Sequence, residues 1–124
     1  VSILVVEDDQ DIREMLHELL TDEGYTVFTA NNGKEGLLKL QLMRRPCLIL
    51  LDLMMPVMNG WEFLDAKGSN DIIASIPVIV TSAIADRNQA LQVTEVVKKP
   101  IDLDALLRTI FKICKPAAGE SKAC

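Results

Sequence analysis

The stretch CLILLDLMMPVMNG, residues 47–60, decides the fold, because a single carboxylate, Asp52, follows five apolar residues without a break. A run that apolar suits a strand buried on both faces of a sheet, and a charge at its exit belongs at the mouth of that sheet. Pro56, Asn59 and Gly60 then turn the chain quickly. Asp52 is thereby left at the C-terminal end of its strand, where open α/β sheets bind ligands.

Upstream, residues 1–6 (VSILVV) read as a buried first strand that ends in Glu7, Asp8 and Asp9. Apolar residues at Ile12, Met15, Leu16, Leu19 and Leu20 have the spacing of one buried helix face, with Asp9 or Asp11 as N-cap and Gly24 as the stop. Residues 25–30 (YTVFTA) alternate as a second strand. Asn31, Asn32 and Gly33 open a second helix that carries Leu37 and Leu40 inward, puts Arg44 and Arg45 in its last turn and ends at Pro46.

Downstream, a short third helix over 61–67 buries Phe63 and Leu64, and a loop follows at 68–71. Residues 76–82 (IPVIVTS) form a fourth strand with Pro77 at its start, where a missing amide proton costs least. A brief fourth helix is expected over 85–92 and a weak fifth strand over 93–97. Lys98, Lys99 and Pro100 then lead to a last helix, capped near Asp102, buried through Leu103, Leu106, Leu107 and Ile110, and stopped by Pro116. Strand and helix alternate five times, which predicts an α/β fold: a doubly wound parallel sheet with helices on both faces and right-handed crossovers. The domain is expected over 1–115, with 116–124 a tail or the start of a linker.

The bulk numbers narrow the function. A chain of 124 residues is one domain with room for a real core. No apolar stretch reaches the length of a membrane span and no signal-peptide pattern opens the chain, so a cytoplasmic location is expected. Thirteen basic against eighteen acidic residues, net −5, give no electrostatic case for nucleic acid or an anionic membrane. The three cysteines are scattered, which argues for reduced thiols rather than a disulfide frame or a zinc site.

In such a sheet Glu7, Asp8, Asp52 and Thr81 fall at C-terminal strand ends, and Lys99 falls just beyond the fifth strand. Distant positions therefore converge on one rim. Two carboxylates ~4 Å apart repel by about 4 kcal/mol at an effective dielectric near ~20, so something positive must sit among them. Mg²⁺ fits best, since it needs only one or two protein carboxylates and keeps waters that a phosphate can replace. Lys99 adds a second positive charge and Thr81 a hydroxyl donor. Together they would surround a phosphoryl group carried by Asp52.

The combination of VVED at 5–8, LLDLMMPVMNG at 50–60, VTSA at 80–83 and KKP at 98–100 resembles the receiver domain of two-component response regulators. The resemblance covers nearly the whole chain in the right order, and four separated motifs are specific where one would be weak. It implies a flavodoxin-like fold with strand order 2-1-3-4-5, for which a receiver protein is itself a standard example. It also implies that Asp52 accepts phosphate from a phosphohistidine of a sensor kinase or phosphotransfer protein. Asp8 would bind Mg²⁺ directly, Glu7 largely through water, and the backbone carbonyl of Met54 would complete the set. Thr81 would hydrogen-bond the phosphoryl group, and Lys99, the lysine before Pro100, would pair with it; Asp9 is left as a helix cap.

Two departures stand out from that pattern. Val96 occupies the place of an aromatic three residues before the lysine, and the stretch from Thr81 to Lys99 is short. Acceptance of phosphate thus looks intact and its readout altered. A docking module that works without phosphorylation is the alternative. A Mg²⁺-dependent aspartyl phosphohydrolase is disfavoured, because no second acid stands two residues after Asp52 and no cap insertion appears. Flavin binding fails on the acidic loop after the first strand. His17 reads as surface, Trp61 as packing, and Met54, Met55 and Met58 as loop filler around the site.

Overall fold

The computed structural model describes residues 1–55, 57–82 and 95–115, with Ser82 by its backbone alone. The elements in order are β1 (Ser2–Val6), α1 (Gln10–Asp22), β2 (Thr26–Ala30), α2 (Gly33–Leu42), β3 (Leu48–Asp52), α3 (Gly60–Gly68), β4 (Val78–Ser82), β5 (Glu95–Lys98) and α4 (Leu103–Ile113). The strands make one parallel sheet in the order β2-β1-β3-β4-β5, as expected for a doubly wound fold. The helix expected over 85–92 and the tail from 116 onward lie outside the described residues.

Every residue of β3 is buried, and the strand's pleat divides its side chains between two cores. Ile49 and Leu51 join Leu4, Val6, Val78 and Val80 on the face covered by Leu40 of α2 and Phe63 of α3. Leu48 and Leu50 join Ile3, Val5 and Ile79 on the face covered by Leu16 and Leu20 of α1 and Leu106 and Ile110 of α4. Full burial of each such aliphatic side chain contributes about 2 kcal/mol. That gain holds β3 in the centre and offsets the cost of an acid at its end.

The helix signals are read locally. Asp9 caps α1, its side chain accepting from the Asp11 and Ile12 amides, and Gly24 takes φ 97° beyond the helix end. Asn32 caps α2, Asn59 and Glu62 form a capping box on α3, and Asp102 caps α4. Three expectations are corrected. Helix α2 stops at Leu42 with an extended Met43, so Arg44 and Arg45 lie beyond it; the approach to Pro46 favours extended backbone earlier than the charge pattern suggests. Met15 is exposed, because Leu16 and Leu20 already fill the contact with the sheet.

The third correction concerns sulfur: Cys47 and Cys114 are joined in a disulfide across 67 positions of sequence. Crossovers in a parallel sheet return the start of β3 and the end of α4 to the same edge of the molecule, a closeness that linear spacing hides. The loop after β3 is tight in the same way. The Gly60 amide donates to the Leu53 carbonyl at 2.9 Å, and a Cβ on Gly60 would sit 2.6 Å from Leu53 Cα. In that loop Val57, β-branched, holds φ 70°, a conformation disfavoured for such a side chain.

Substitutions in this loop should therefore act with opposite signs. Gly60→Ala is expected to lower unfolding free energy by about 2 kcal/mol, and Val57→Gly to raise it by about 0.5 to 1 kcal/mol once the entropy cost of glycine is counted. Urea denaturation of both variants checks the pair.

Candidate functional site

The sheet brings its acids together by register. Val6 of β1 lies beside Leu51 of β3, so the next residues, Glu7 and Asp52, emerge at the same rim, and Asp52 is paired in turn with Thr81 of β4. Glu7, Asp52 and Thr81 are buried, whereas Asp8 is exposed at the edge. Ligand oxygens of Glu7, Asp8 and Asp52 all lie within 4.8 Å of one another.

Lys99 closes the group from beyond β5. Its Nζ is 3.0 Å from Glu7 Oε1 and 3.5 Å from Asp52 Oδ1, and its side chain is only 18% exposed. The Lys99–Pro100 peptide is cis. Lys98 is exposed on the strand, whereas Lys99 reaches both carboxylates. Backbone amides complete the arrangement: Met54 N–H donates to Asp52 Oδ1 at 3.2 Å, and Asp9 N–H donates to Glu7 Oε2 at 3.2 Å.

Burial raises the Glu7 carboxyl from 4.5 to about 7, helped by its hydrogen bond to Asp52 and by that residue's charge, against the pull of Lys99. Asp52 is also raised, chiefly by burial, with Glu7, Lys99 and the Met54 amide working the other way. Burial alone would lower the Lys99 ammonium. The hydrogen bond and charge of Glu7, with the charge of Asp52, outweigh it and leave Lys99 raised. Among the described residues one ammonium therefore stands against three carboxylates, which leaves the pocket short of positive charge.

One contributor escaped the sequence reading. Arg13, on the first turns of α1, donates to the carbonyl oxygens of Glu7 at 2.9 Å and Asp8 at 3.3 Å, fixing the strand exit that carries both acids. Its position four residues after the Asp9 cap was the available signal. The methionines also differ from loop filler. Met55 is buried in the core, and Met58 packs against it, its carbonyl accepting from Gly33 N–H at 3.2 Å. Of these three loop methionines, Met54 is the exposed one.

Such a site offers hard oxygen ligands for a small divalent cation, a nucleophilic carboxylate and a fixed ammonium, a combination suited to holding a phosphoryl group. Comparison with known proteins agrees. The family model described as the response regulator receiver domain matches residues 3–111. The chain is 39% identical over 110 residues to the transcriptional regulatory protein CrdR of Helicobacter pylori, covering 85% of this chain and 51% of that protein. It is 39% identical over 115 residues to response regulator RR06 of Streptococcus pneumoniae, covering 89% and 51%. The chain thus spans about half the length of these curated relatives. Among solved structures, chemotaxis protein CheY4 of Vibrio cholerae superposes with a TM-score of 0.84 at 31% identity, covering 92% of this chain and 98% of that one. Response regulator TrrA of Thermotoga maritima, solved in complex with Mg²⁺-BeF, gives 0.80 at 32% identity, covering 91% and 98%.

The raised Glu7 carboxyl makes stability depend on pH in the metal-free protein. As pH rises from 4.5 to about 7 the unfolded chain gives up this proton before the folded one does, so stability falls across that window, by at most about 3 kcal/mol. Urea midpoints measured in chelator across that range should decline, and Glu7→Gln should flatten the decline; a wild-type profile without slope would contradict the burial of an under-neutralised acid.

Proposed function

The chain belongs to the response regulator receiver domain family, and from that premise we propose that it is a phosphoacceptor switch charged on Asp52 by a phosphohistidine of a sensor histidine kinase or phosphotransfer protein. The observation that carries the reading is Lys99 Nζ lying within 3.5 Å of Asp52 and 3.0 Å of Glu7, where it can follow negative charge from carboxylate to phosphoryl oxygen.

In the proposed step a carboxylate oxygen of Asp52 attacks phosphorus, the phosphorus–nitrogen bond breaks, and the imidazole leaves. The Met54 amide, bonded to Oδ1, orients the carboxylate. Lys99 exchanges its carboxylate partners for phosphoryl oxygens, and the Thr81 hydroxyl donates to another. Glu7, Asp8, Asp52 and the Met54 carbonyl would hold Mg²⁺. The clustering of their carboxylate oxygens suits a hard cation, whose part is to neutralise charge building on the phosphoryl oxygens. Slow hydrolysis of the acyl phosphate resets Asp52, so the chain acts as a signalling domain rather than a turnover enzyme.

The proposed receiver unit is 1–115. Its net charge of −5 argues against direct contact with nucleic acid, and the output is proposed to pass through a protein partner. Among the described residues no helix is long and apolar enough to cross a membrane; the cytoplasm is the compartment we propose. A docking module independent of phosphate is the second reading, favoured by Val96, which stands 48% exposed on β5 where an aromatic was expected.

Incubation with Mg²⁺ and acetyl phosphate, followed by intact mass measurement, separates the readings. A single phosphoryl adduct is expected, absent in Asp52→Asn, and formed about 100-fold more slowly in Lys99→Ala. Absence of the adduct in the wild type would favour docking, and repeated turnover of unrelated phosphate esters would favour the phosphohydrolase.

A further inference from the structure

The geometry points to a thiol–disulfide modification site at Cys47 and Cys114, which exchanges with low-molecular-weight thiols and disulfides and is entered only through Cys47. The two Cα atoms are 6.0 Å apart, within the span a disulfide requires. Each backbone is held there by bonds that do not involve sulfur. Cys47 N–H donates to the Ser2 carbonyl at 2.8 Å, Cys114 N–H donates to the Ile110 carbonyl at 2.7 Å, and the Cys114 carbonyl accepts from the Tyr25 hydroxyl. Reduction therefore leaves the two thiols facing each other, ready to close again.

Exposure sets the order of events. Cys114 is 2% exposed, packed with Leu106 and Ile110, and out of reach of a dissolved thiolate. Cys47 is partly exposed at the entry to β3. In oxidation by a small disulfide such as glutathione disulfide, the Cys47 thiolate attacks one sulfur and expels one small thiolate. Cys114 then attacks the Cys47 sulfur of the mixed disulfide and expels the second. Two protein thiols give up two electrons and two protons, and one small disulfide becomes two small thiols. Reduction runs the same path backward: an outside thiolate bonds to Cys47, and Cys114 departs as thiolate.

The bridge ties the start of β3 to the end of α4, shortening the free chain of the unfolded state across 67 positions. Closing a loop of that size raises the melting temperature of a domain this small by on the order of 10 °C. Cys47 and Asp52 stand at opposite ends of β3, about 16 Å apart at the rise of a strand. The redox state should thus shift stability and leave phosphoryl acceptance unchanged.

The test uses the full chain with Cys124→Ser, so that only the pair can react, in buffers of reduced glutathione and glutathione disulfide. The expected result is loss of two hydrogens in the intact mass, one cross-linked peptide containing both cysteines, and a melting temperature lower by about 10 °C after reduction. Cys114→Ser should accumulate a glutathione adduct on Cys47, whereas native Cys47→Ser should take none. Should either variant fold poorly, the reduced two-cysteine protein is alkylated instead, and Cys47 should react first. Absence of the cross-link under oxidising buffer, or equal reaction of the two thiols, overturns the proposal.

Discussion

A half-buried ammonium held against two buried carboxylates, Glu7 and Asp52, organises the site and the strands that present it. Glu7 and Asp52 are withdrawn from water almost completely, and each is pushed toward its neutral form by that withdrawal. Among the described residues Lys99 supplies the compensation. One ammonium cannot balance the set, and in the function proposed above the remaining deficit suits the rim to a metal cation and, through it, to a phosphoryl anion.

The rest of the fold holds that imbalance in place. Two apolar cores pin β3 from opposite faces, so Asp52 cannot retreat toward solvent without unpacking Leu48 to Leu51. The exit is fixed just as firmly: the Gly60 amide bonds back to Leu53, Met54 bonds to Asp52, and Arg13 grips the carbonyls of Glu7 and Asp8. Val57 in a left-handed conformation marks where the loop accepts local strain near the acids. At the other end of the same strand the sulfur bridge fixes α4 to the sheet, so the two chemistries of β3 are kept apart by its length.

Much of this was legible in the sequence, for physical reasons. The unbroken apolar run before Asp52 identified the central strand, and the short alternating or amphipathic segments identified its neighbours and the helices that cover them. The acids and Lys99 could be gathered on one rim because parallel strands all end on the same side. Features set by three-dimensional return were not legible. Cys47 and Cys114 are distant in sequence, and only the crossovers bring them together. Arg13 looks like any solvated helix residue until the carbonyls it holds are seen. Arg44 and Arg45 fell outside α2 because backbone restriction ahead of Pro46 prevailed over charge preference at a helix end.

Lys99 and a divalent cation are proposed to share the task of neutralising one acidic pocket. Titration calorimetry with Mg²⁺ at about pH 8 and low salt, on wild type and Lys99→Met, measures that sharing. One bound ion is expected in the wild type, with tighter binding, by about tenfold or more, once the competing ammonium is gone. Equal affinity in the two proteins, or no binding to either, would contradict it.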